Sequence, residues 1–341
     1  MATYAISLES VQQAAQRIDG AAHRTPVLTS QTLDTLATQA QGRPVRLFFK
    51  CENLQRVGAF KYRGALNAVK KHVESRDAGD DDAPPPTFVT HSSGNHAQAL
   101  ALAARDANAR AVIVMPNNAP IVKQNAVRGY GAEVVLCEPT NEARESAAQG
   151  VVEALGARFV HPSDDVDVMS GQGTAAVELL EQAEQQFGVT LDAVVVPIGG
   201  GGLCSGVAMA AKSLAKHIKV FAAEPIGAAD AHRSFTSGQL SGHTTPPDTV
   251  ADGLKTTLGD NNWPVIREFV DEIVLVSDDE IVATMKLMWE RMKLVVEPSG
   301  AVATAAAITH KLPVADGTAV LNIGVVISGG NVDLDKIPWL S

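Results

Sequence analysis

The chain alternates short segments that are apolar throughout with longer Ala-rich segments. Segments such as 97–109 and 174–187 place apolar residues at helical spacing. Strands that are apolar at every position, rather than at alternate positions, are typical of parallel sheets covered by helices on both faces. The pattern therefore predicts an α/β fold, with buried strands in the segments 47–50, 88–93, 111–116, 133–139, 193–202, 219–225, 272–278 and 325–331.

The length and two polar interruptions predict two domains. The chain has 341 residues, and a single hydrophobic core rarely grows beyond about 250–300 residues. Residues 77–86, DAGDDDAPPP, are too acidic and proline-rich to pack, which predicts a solvated loop, and residues 38–44 predict a shorter one. We expect a small domain of residues 85–158 and a large domain formed by residues 1–75 and 160–341.

Charge and cysteine content exclude several classes of protein. The net charge is −10, with no Lys/Arg-rich run, which argues against nucleic acid or an anionic membrane surface as a partner. Cys51, Cys137 and Cys204 are widely spaced and form no CxxC pair, so a disulfide framework or zinc knuckle is not expected and a reducing compartment is favoured. The first residues lack the pattern of a signal peptide, and no apolar stretch reaches the ~20 residues of a membrane span. We expect a cytoplasmic protein.

The segment GAFKYRGALNAV, residues 58–69, contains the first candidate for chemistry, Lys61. A lysine between an aromatic residue and the start of a helix is ordinarily a solvated surface side chain. Lysine is also the residue that forms Schiff bases with carbonyl compounds when burial or a cationic neighbour lowers its pKa. Phe60 beside it either forms a wall of such a site or belongs to the core.

Two further segments suit anions. HSSGNHAQ, residues 91–98, joins a predicted strand to a predicted helix and directs backbone N–H groups and two hydroxyls to the helix start, which suits a carboxylate or phosphate. Helix capping is the alternative explanation, although it does not need five consecutive small or polar residues. Four glycines, 199–202, follow a predicted strand and precede a helix, so that bare amides can approach a phosphate. They match neither GxGxxG nor the P-loop, and a flexible linker is the alternative.

A last candidate, Ser328 in VVISGGNVD, follows a predicted strand and either forms a turn or meets a ligand at the sheet edge. The four segments together offer an amine nucleophile, a carboxylate site, a phosphate site and a hydroxyl. A pyridoxal phosphate enzyme that acts on an amino acid needs all four.

Over essentially the whole chain, these motifs resemble the fold-type II pyridoxal phosphate enzymes of the serine/threonine dehydratase family. The stretches that carry the resemblance, in matching order and spacing, are TPVLTS (25–30), FKYRGALNAV (60–69), THSSGNHAQAL (90–100), YGAEVVLCEP (130–139), GQGTAAVELL (171–180), VVPIGGGG (195–202), AAEP (222–225), WERMKLVVEP (289–298) and SGGNVDL (328–334). The resemblance implies a fold like that of the tryptophan synthase β subunit. Its two lobes would each contain a mostly parallel sheet flanked by helices, and the small lobe would be mobile.

The resemblance also implies residue roles. Lys61 would form the Schiff base with the cofactor, Phe60 and Gly253 would flank its ring, Asn95 would contact its hydroxyl, and Ser328 its pyridine nitrogen. The phosphate would bind Gly199, Gly200, Gly201 and Gly202. The substrate carboxylate would lie among Ser92, Ser93, Asn95 and His96, with Arg144 and Thr256 closing over it. Glu224, Asp230 and the carbonyl of Ala228 would hold a divalent cation, and oxygen ligands suit Mg²⁺ or Ca²⁺.

The implied reactions are racemisation of serine and β-elimination of serine to pyruvate and ammonia. Racemisation needs a proton acid or base on each face of Cα: Lys61 would serve one face and Ser93, where threonine dehydratases commonly carry Ala, the other. Ser163 stands where family members that racemise serine tend to have Asn. The same SSGNHAQA motif occurs in 3-hydroxyaspartate dehydratases, so a dehydratase of 3-hydroxyaspartate or threonine stays an alternative.

A non-catalytic ligand sensor is a third alternative, and the intact Lys61 counts against it. The resemblance further implies a homodimer and, in some relatives, ATP as an effector at the dimer interface.

Overall fold

The computed structural model describes residues 4–76, 84–315 and 319–340, and it confirms the α/β fold with two mostly parallel sheets. The larger sheet has the strand order β1-β2-β10-β7-β8-β9, and all neighbours are parallel except the antiparallel pair β1 and β2. Its strands are β1 (Val27–Leu28), β2 (Val45–Cys51), β7 (Ala193–Pro197), β8 (Lys219–Pro225), β9 (Glu272–Val276) and β10 (Leu321–Ile327).

The smaller sheet has the order β5-β4-β3-β6, and every neighbouring pair in it is parallel. Its strands are β3 (Thr87–His91), β4 (Arg110–Pro116), β5 (Glu133–Cys137) and β6 (Arg158–Phe159). Each of the eight predicted apolar segments contains or overlaps one observed strand. Strands β1 and β6 were not predicted, because two residues at a sheet edge are too few to show a hydrophobic period.

Helices cover both faces of the two sheets, as the continuous apolar strands predict. In chain order they are α1 (Leu8–Ile18), α2 (Gln31–Gln41), α3 (Lys61–Arg76), α4 (Asn95–Asp106), α5 (Ile121–Gly129), α6 (Asn141–Leu155), α7 (Val166–Phe187), α8 (Gly202–Leu214), α9 (Asp230–Ser237), α10 (Trp263–Phe269), α11 (Asp278–Met292) and α12 (Pro298–Thr309). Within the described ranges, no helix is both long and apolar enough to traverse a lipid bilayer.

The two predicted loops have different outcomes. The loop expected at 38–44 is wrong over its first half, because α2 continues to Gln41 and ends only at Gly42, whose φ of +70° suits glycine and closes the helix. Of the loop predicted at 77–86, residues 77–83 lie outside the described residues. Residues 84–86 have no regular structure, and Pro84 and Pro85 are exposed.

Helix α3, which begins at Lys61, packs directly on α7 through glycines. A Cβ added to Gly171 would lie 2.6 Å from the Cα of Gly64, so the two backbones approach more closely than any side chain allows. The contact places the first turn of α3 against α7 in the interior of the molecule. A larger residue at either glycine would push Lys61 away from its position.

A buried ion network holds the same helix start. The Arg63 guanidinium donates to both carboxylate oxygens of Glu52 at 2.7 and 2.8 Å and to both of Glu178 at 2.7 and 2.8 Å. The Lys50 ammonium donates to Glu178 at 2.6 Å. The side chains of Arg63, Glu52 and Lys50 are fully buried, so each charge depends on its partners rather than on water. The network joins β2, α3 and α7.

Replacing Arg63 by alanine should therefore destabilise the protein severely. The substitution leaves Glu52 buried without its cation, which costs about 3–5 kcal/mol in the free energy of unfolding. The matched control is Arg110→Ala, which breaks the exposed 2.7 Å pair with Glu133 and should cost under about 1 kcal/mol. Urea denaturation of both variants measures the difference, and equal losses would contradict the role given to the network.

Candidate active site

A cavity of about 1150 Å³ opens at the carboxyl ends of β3, β7 and β10, where open α/β sheets bind ligands. The structure brings together in its lining every residue for which a cofactor or substrate contact was predicted. They are Phe60, Lys61, Ser92, Ser93, Asn95, His96, Arg144, Gly199, Gly200, Gly201, Gly202, Gly253, Thr256 and Ser328. These residues come from segments up to 268 positions apart, 60 to 328, so the fold assembles the site.

Lys61 is not a solvated surface lysine. It is the first residue of α3, its Nζ donates to the carbonyl of Pro162 at 2.7 Å, and Nζ lies 5.1 Å from the centroid of the Phe60 ring. Burial lowers the pKa of Lys61 to about 8, against the opposing effect of the Glu297 carboxylate. A lowered pKa makes a larger fraction of the amine available as a nucleophile or base near neutral pH.

The glycine loop between β7 and α8 presents donors that have no acceptor. Gly199, Gly200 and Gly201 are buried, and none of the hydrogen bonds among the described residues uses their amides. A Cβ on Gly199 would lie 2.8 Å from the Cα of Leu254, and Gly201 has a φ of +91°. Because the loop is buried and tightly packed, it is not a flexible linker. Bare amides at the start of a helix fit a phosphate group.

The segment between β3 and α4 also leaves donors free. No side chain caps α4, and the Ser92 hydroxyl accepts instead from the amide of Gly94 at 3.3 Å. Simple helix capping therefore does not explain the serines of this motif. Ser93 lines the cavity beside them, and the uncapped amides of the first turn of α4 suit a carboxylate.

Asn95 is held by two neighbours from the larger lobe. Its Nδ2 donates to Oε1 of Glu297 at 2.9 Å, and its Oδ1 accepts from Nδ2 of Asn331 at 2.9 Å. Burial and the charge of Asp252 raise the pKa of Glu297 to about 8, although the bond from Asn95 opposes this. One N–H of the Asn95 amide stays available to a ligand oxygen such as the predicted ring hydroxyl.

His96 has a fixed role for its ring. Its Nε2 lies 3.2 Å from the carbonyl of Val160, which only a protonated nitrogen can approach as a hydrogen-bond donor. Burial lowers the pKa of His96 well below its usual value, so the ring is neutral and Nδ1 carries a lone pair. That nitrogen cannot donate to a carboxylate, and any contact of His96 with a carboxylate falls to its backbone N–H.

The remaining predicted residues differ in how they lie in the empty site. Ser328 is buried and its hydroxyl donates to the carbonyl of Ser299 at 3.2 Å, so donation to a pyridine nitrogen would replace that bond. Arg144 donates to Asn141 and, at 3.3 Å, to the carbonyl of Thr140 at the start of α6. Its guanidinium is thus tied to its own helix rather than to the groups of the cavity floor.

The predicted cation ligands lie outside the cavity lining, at the end of β8 and the start of α9. Glu224 accepts from the amides of Ala231 and His232 at 2.9 and 2.8 Å, and Asp230 accepts from the amide of Leu258 at 2.8 Å. Burial raises the pKa of Glu224 to about 8. Among the described residues, no cluster of three or more His, Cys, Asp or Glu is present that could hold a metal; the predicted set has two carboxylates and one carbonyl.

Sequence reasoning missed two residues of the site. Glu297 contacts Asn95 and influences Lys61, and its stretch, WERMKLVVEP, was recognised only as part of the resemblance. Asp252 raises the pKa of Glu297 and forms a 3.8 Å ion pair with Lys123 at the rim of the cavity. The available signal for Glu297 was a carboxylate between two buried valine positions and a helix-starting proline.

Comparisons with known proteins agree with this geometry. The family described as "Pyridoxal-phosphate dependent enzyme" matches residues 18–329. The chain is 46% identical to the serine racemase of Dictyostelium discoideum over 97% of each chain, and 45% identical to that of Homo sapiens over 99% of this chain and 95% of the relative. The crystal structure of the Dictyostelium protein matches with a TM-score of 0.85, covering 97% of this chain and 100% of that one. A crystal structure of a bacterial threonine deaminase matches with a TM-score of 0.85 at 40% identity, covering 96% and 99%.

The lowered pKa of Lys61 predicts its reactivity. In the folded apoprotein, the rate of Lys61 acetylation by acetic anhydride should rise with pH through a midpoint near 8, because the free amine forms there. Peptide mass spectrometry measures the rate at this one lysine. The control is the urea-denatured chain, in which the midpoint should return towards the ordinary value of 10.5. The same midpoint in both states would contradict the assigned environment.

Proposed function

The chain belongs to the pyridoxal-phosphate-dependent enzymes, in the group of racemases and dehydratases, and from this premise we propose that it racemises serine and eliminates water from it. The observation that carries the proposal is Lys61, with its lowered pKa, in one cavity with the serine pair Ser92 and Ser93. Its support is the 42–46% identity to relatives named serine racemase over nearly their full length.

The residues present fit pyridoxal phosphate. The buried amides of Gly199, Gly200 and Gly201 lack acceptors, the Asn95 amide has a free N–H beside its bond to Glu297, and the Lys61 amine lies against the Phe60 ring. When bound, the cofactor supplies an electron sink for the charge that develops at Cα of the substrate. Gly253 is assigned to the other face of the ring and Ser328 to its nitrogen.

Racemisation needs proton carriers on both faces of Cα. Lys61 is assigned the proton on one face, and the hydroxyl of Ser93 the proton on the other; the two exchange roles in the reverse reaction. The substrate carboxylate is assigned to the uncapped amides at the start of α4 and the hydroxyls of Ser92 and Ser93. Arg144 would leave Asn141 to close over that carboxylate, and Thr256 completes the enclosure.

Elimination needs less. Lys61 removes the Cα proton, and the leaving hydroxyl takes a proton from the phosphate side of the cavity, beside the glycine loop. A dehydratase of threonine or 3-hydroxyaspartate is the second candidate, favoured by the 40% identity to a protein named threonine deaminase. For 3-hydroxyaspartate the second carboxylate would need a base, and Lys255 and Lys123 both line the cavity.

Loss of Ser93 should separate the two reactions. In D₂O, the holoenzyme with L-serine should give deuterated D-serine and pyruvate, followed by chiral chromatography and a pyruvate assay in the same tube. Ser93→Ala should lower racemisation by about 10²–10⁴-fold, the usual contribution of a general acid or base, and keep most of the elimination. The matched control Ser92→Ala should impair both reactions together, because it removes a binding group and no proton carrier.

Several outcomes would contradict the proposal. Pyruvate alone from serine, with faster formation of oxaloacetate from 3-hydroxyaspartate, would make the protein a dehydratase. Full turnover by Lys61→Ala would exclude both enzymatic functions. Failure of the purified protein to form a Lys61 adduct with pyridoxal phosphate would favour a ligand sensor.

We further propose a Mg²⁺ or Ca²⁺ ion bound by Glu224, Asp230 and the carbonyl of Ala228. Both carboxylates are fully buried, and Oδ1 of Asp230 has no hydrogen-bond partner among the described residues. Two buried carboxylates close enough to repel each other fit a hard cation that takes oxygen ligands.

Removal of this cation should lower the melting temperature. Treatment with EDTA, followed by Mg²⁺ or Ca²⁺ addition, should lower and then restore the melting temperature measured by differential scanning fluorimetry, because the ion binds only the folded state. Asp230→Asn should abolish the response to the cation, whereas Asp248→Asn, an acidic residue in the same region without an assigned role, should keep it. An unchanged melting temperature with and without the cation would exclude the site.

We also propose a cytoplasmic homodimer whose small domain, residues 85–158, moves over the substrate, with ATP as an effector of the assembly. The support is the family resemblance, and for the compartment the absence of paired cysteines: all three are unbonded in the structure. Sedimentation velocity and turnover with and without ATP test the assembly and the effector, respectively.

A further inference from the structure

The side chain of Ser163 stands out in the site because its hydroxyl is buried and unused. Ser163 follows β6 and is 5% exposed. Its Oγ has no hydrogen-bond partner among the described residues. A buried hydroxyl without a partner is costly, and such a group at a cavity wall indicates a ligand that completes its bonding.

The backbone of Ser163 is held from both sides, so the direction of its side chain is fixed. Nδ1 of His161 accepts from the amides of Ser163 at 3.2 Å and Asp164 at 2.8 Å. Nδ2 of Asn262 donates to the carbonyl of Ser163 at 3.1 Å and to Oδ1 of Asp164 at 2.8 Å. These bonds fix the turn without using the hydroxyl.

The hydroxyl faces the glycine loop. A Cβ added to Gly200 would overlap Oγ of Ser163 and would lie 2.9 Å from its Cβ. The same added atom would lie 3.1 Å from the methyl group of Thr256. Oγ therefore adjoins the buried amides of Gly199, Gly200 and Gly201, which themselves lack acceptors. One O–H and three N–H donors without acceptors share one corner of the cavity.

We propose that the Ser163 hydroxyl donates a hydrogen bond to the phosphate of the bound cofactor, adding a side-chain donor to the backbone donors of the glycine loop. The inference rests on the proposed function, because it takes pyridoxal phosphate as the occupant. A dianionic phosphate accepts several donors at once, and a hydrogen bond to an ionised acceptor is stronger than one between neutral groups. The donor is specific to the phosphate end of the cofactor and serves no part of the ring.

The test compares two ligands that differ only by the phosphate. Apoprotein is titrated with pyridoxal phosphate and with pyridoxal, and the dissociation constants are read from the visible absorbance of the Lys61 adduct. Ser163→Ala should weaken pyridoxal phosphate about tenfold to a hundredfold and leave pyridoxal unchanged. The matched control is Ser170→Ala, which removes an equally buried hydroxyl that bonds the carbonyl of Val166 and does not line the cavity; it should change neither constant.

The melting temperature of the apoprotein separates a ligand contact from a structural one. Ser163→Ala removes a hydroxyl that has no partner among the described residues, so the apoprotein should melt at the same temperature as the wild type or higher. Addition of inorganic phosphate should stabilise the wild-type apoprotein more than the variant.

Three results would overturn the inference. They are an unchanged affinity for pyridoxal phosphate, an equal loss for both ligands, and an apoprotein that the substitution destabilises. Each is distinct from failure of the proposed function, in which the wild type itself forms no Lys61 adduct with pyridoxal phosphate.

Discussion

The position of the reactive lysine depends on the guanidinium of Arg63, two residues further along the same helix. Four charge-assisted bonds to Glu52 and Glu178 tie the first turn of α3 to the end of β2 and to α7. The glycine contact between Gly64 and Gly171 removes the remaining space between the helices. Lys61 therefore projects from a rigid base into the cavity, and its environment, rather than its own flexibility, decides its pKa.

The site is built from donors that the protein leaves without acceptors. The amides of the glycine loop, the uncapped start of α4 and the hydroxyl of Ser163 are all costly in the empty protein. A ligand that carries a phosphate and a carboxylate would satisfy them together, so binding and stability are linked in this molecule. The pair Asn95 and Glu297 crosses between the lobes at the same place, which joins occupancy of the site to the contact between the two sheets.

The sequence predicted the long strands well and the details of the site less well. Continuous apolar segments located eight strands because burial on both faces leaves a strong local signal. Strands β1 and β6 and the last turn of α2 carry no such signal, since pairing at a sheet edge and a positive φ at Gly42 decide them. Glu297 could not be recognised as a neighbour of Lys61, because 236 positions separate them in the chain, 61 to 297, and only the parallel sheet brings them together.

The sequence by itself determined the fold class, the family and the residue types of the site, because apolar periodicity and strand–turn–helix motifs are local properties of the chain. The tertiary structure decided the chemical state of those residues. Burial lowers the pKa of Lys61 and raises that of Glu297, the carbonyl of Val160 selects the tautomer of His96, and the packing of the turn at Ser163 aims one hydroxyl at the glycine loop. Each of these depends on groups distant in sequence, whose solvent exclusion and mutual geometry exist only after folding.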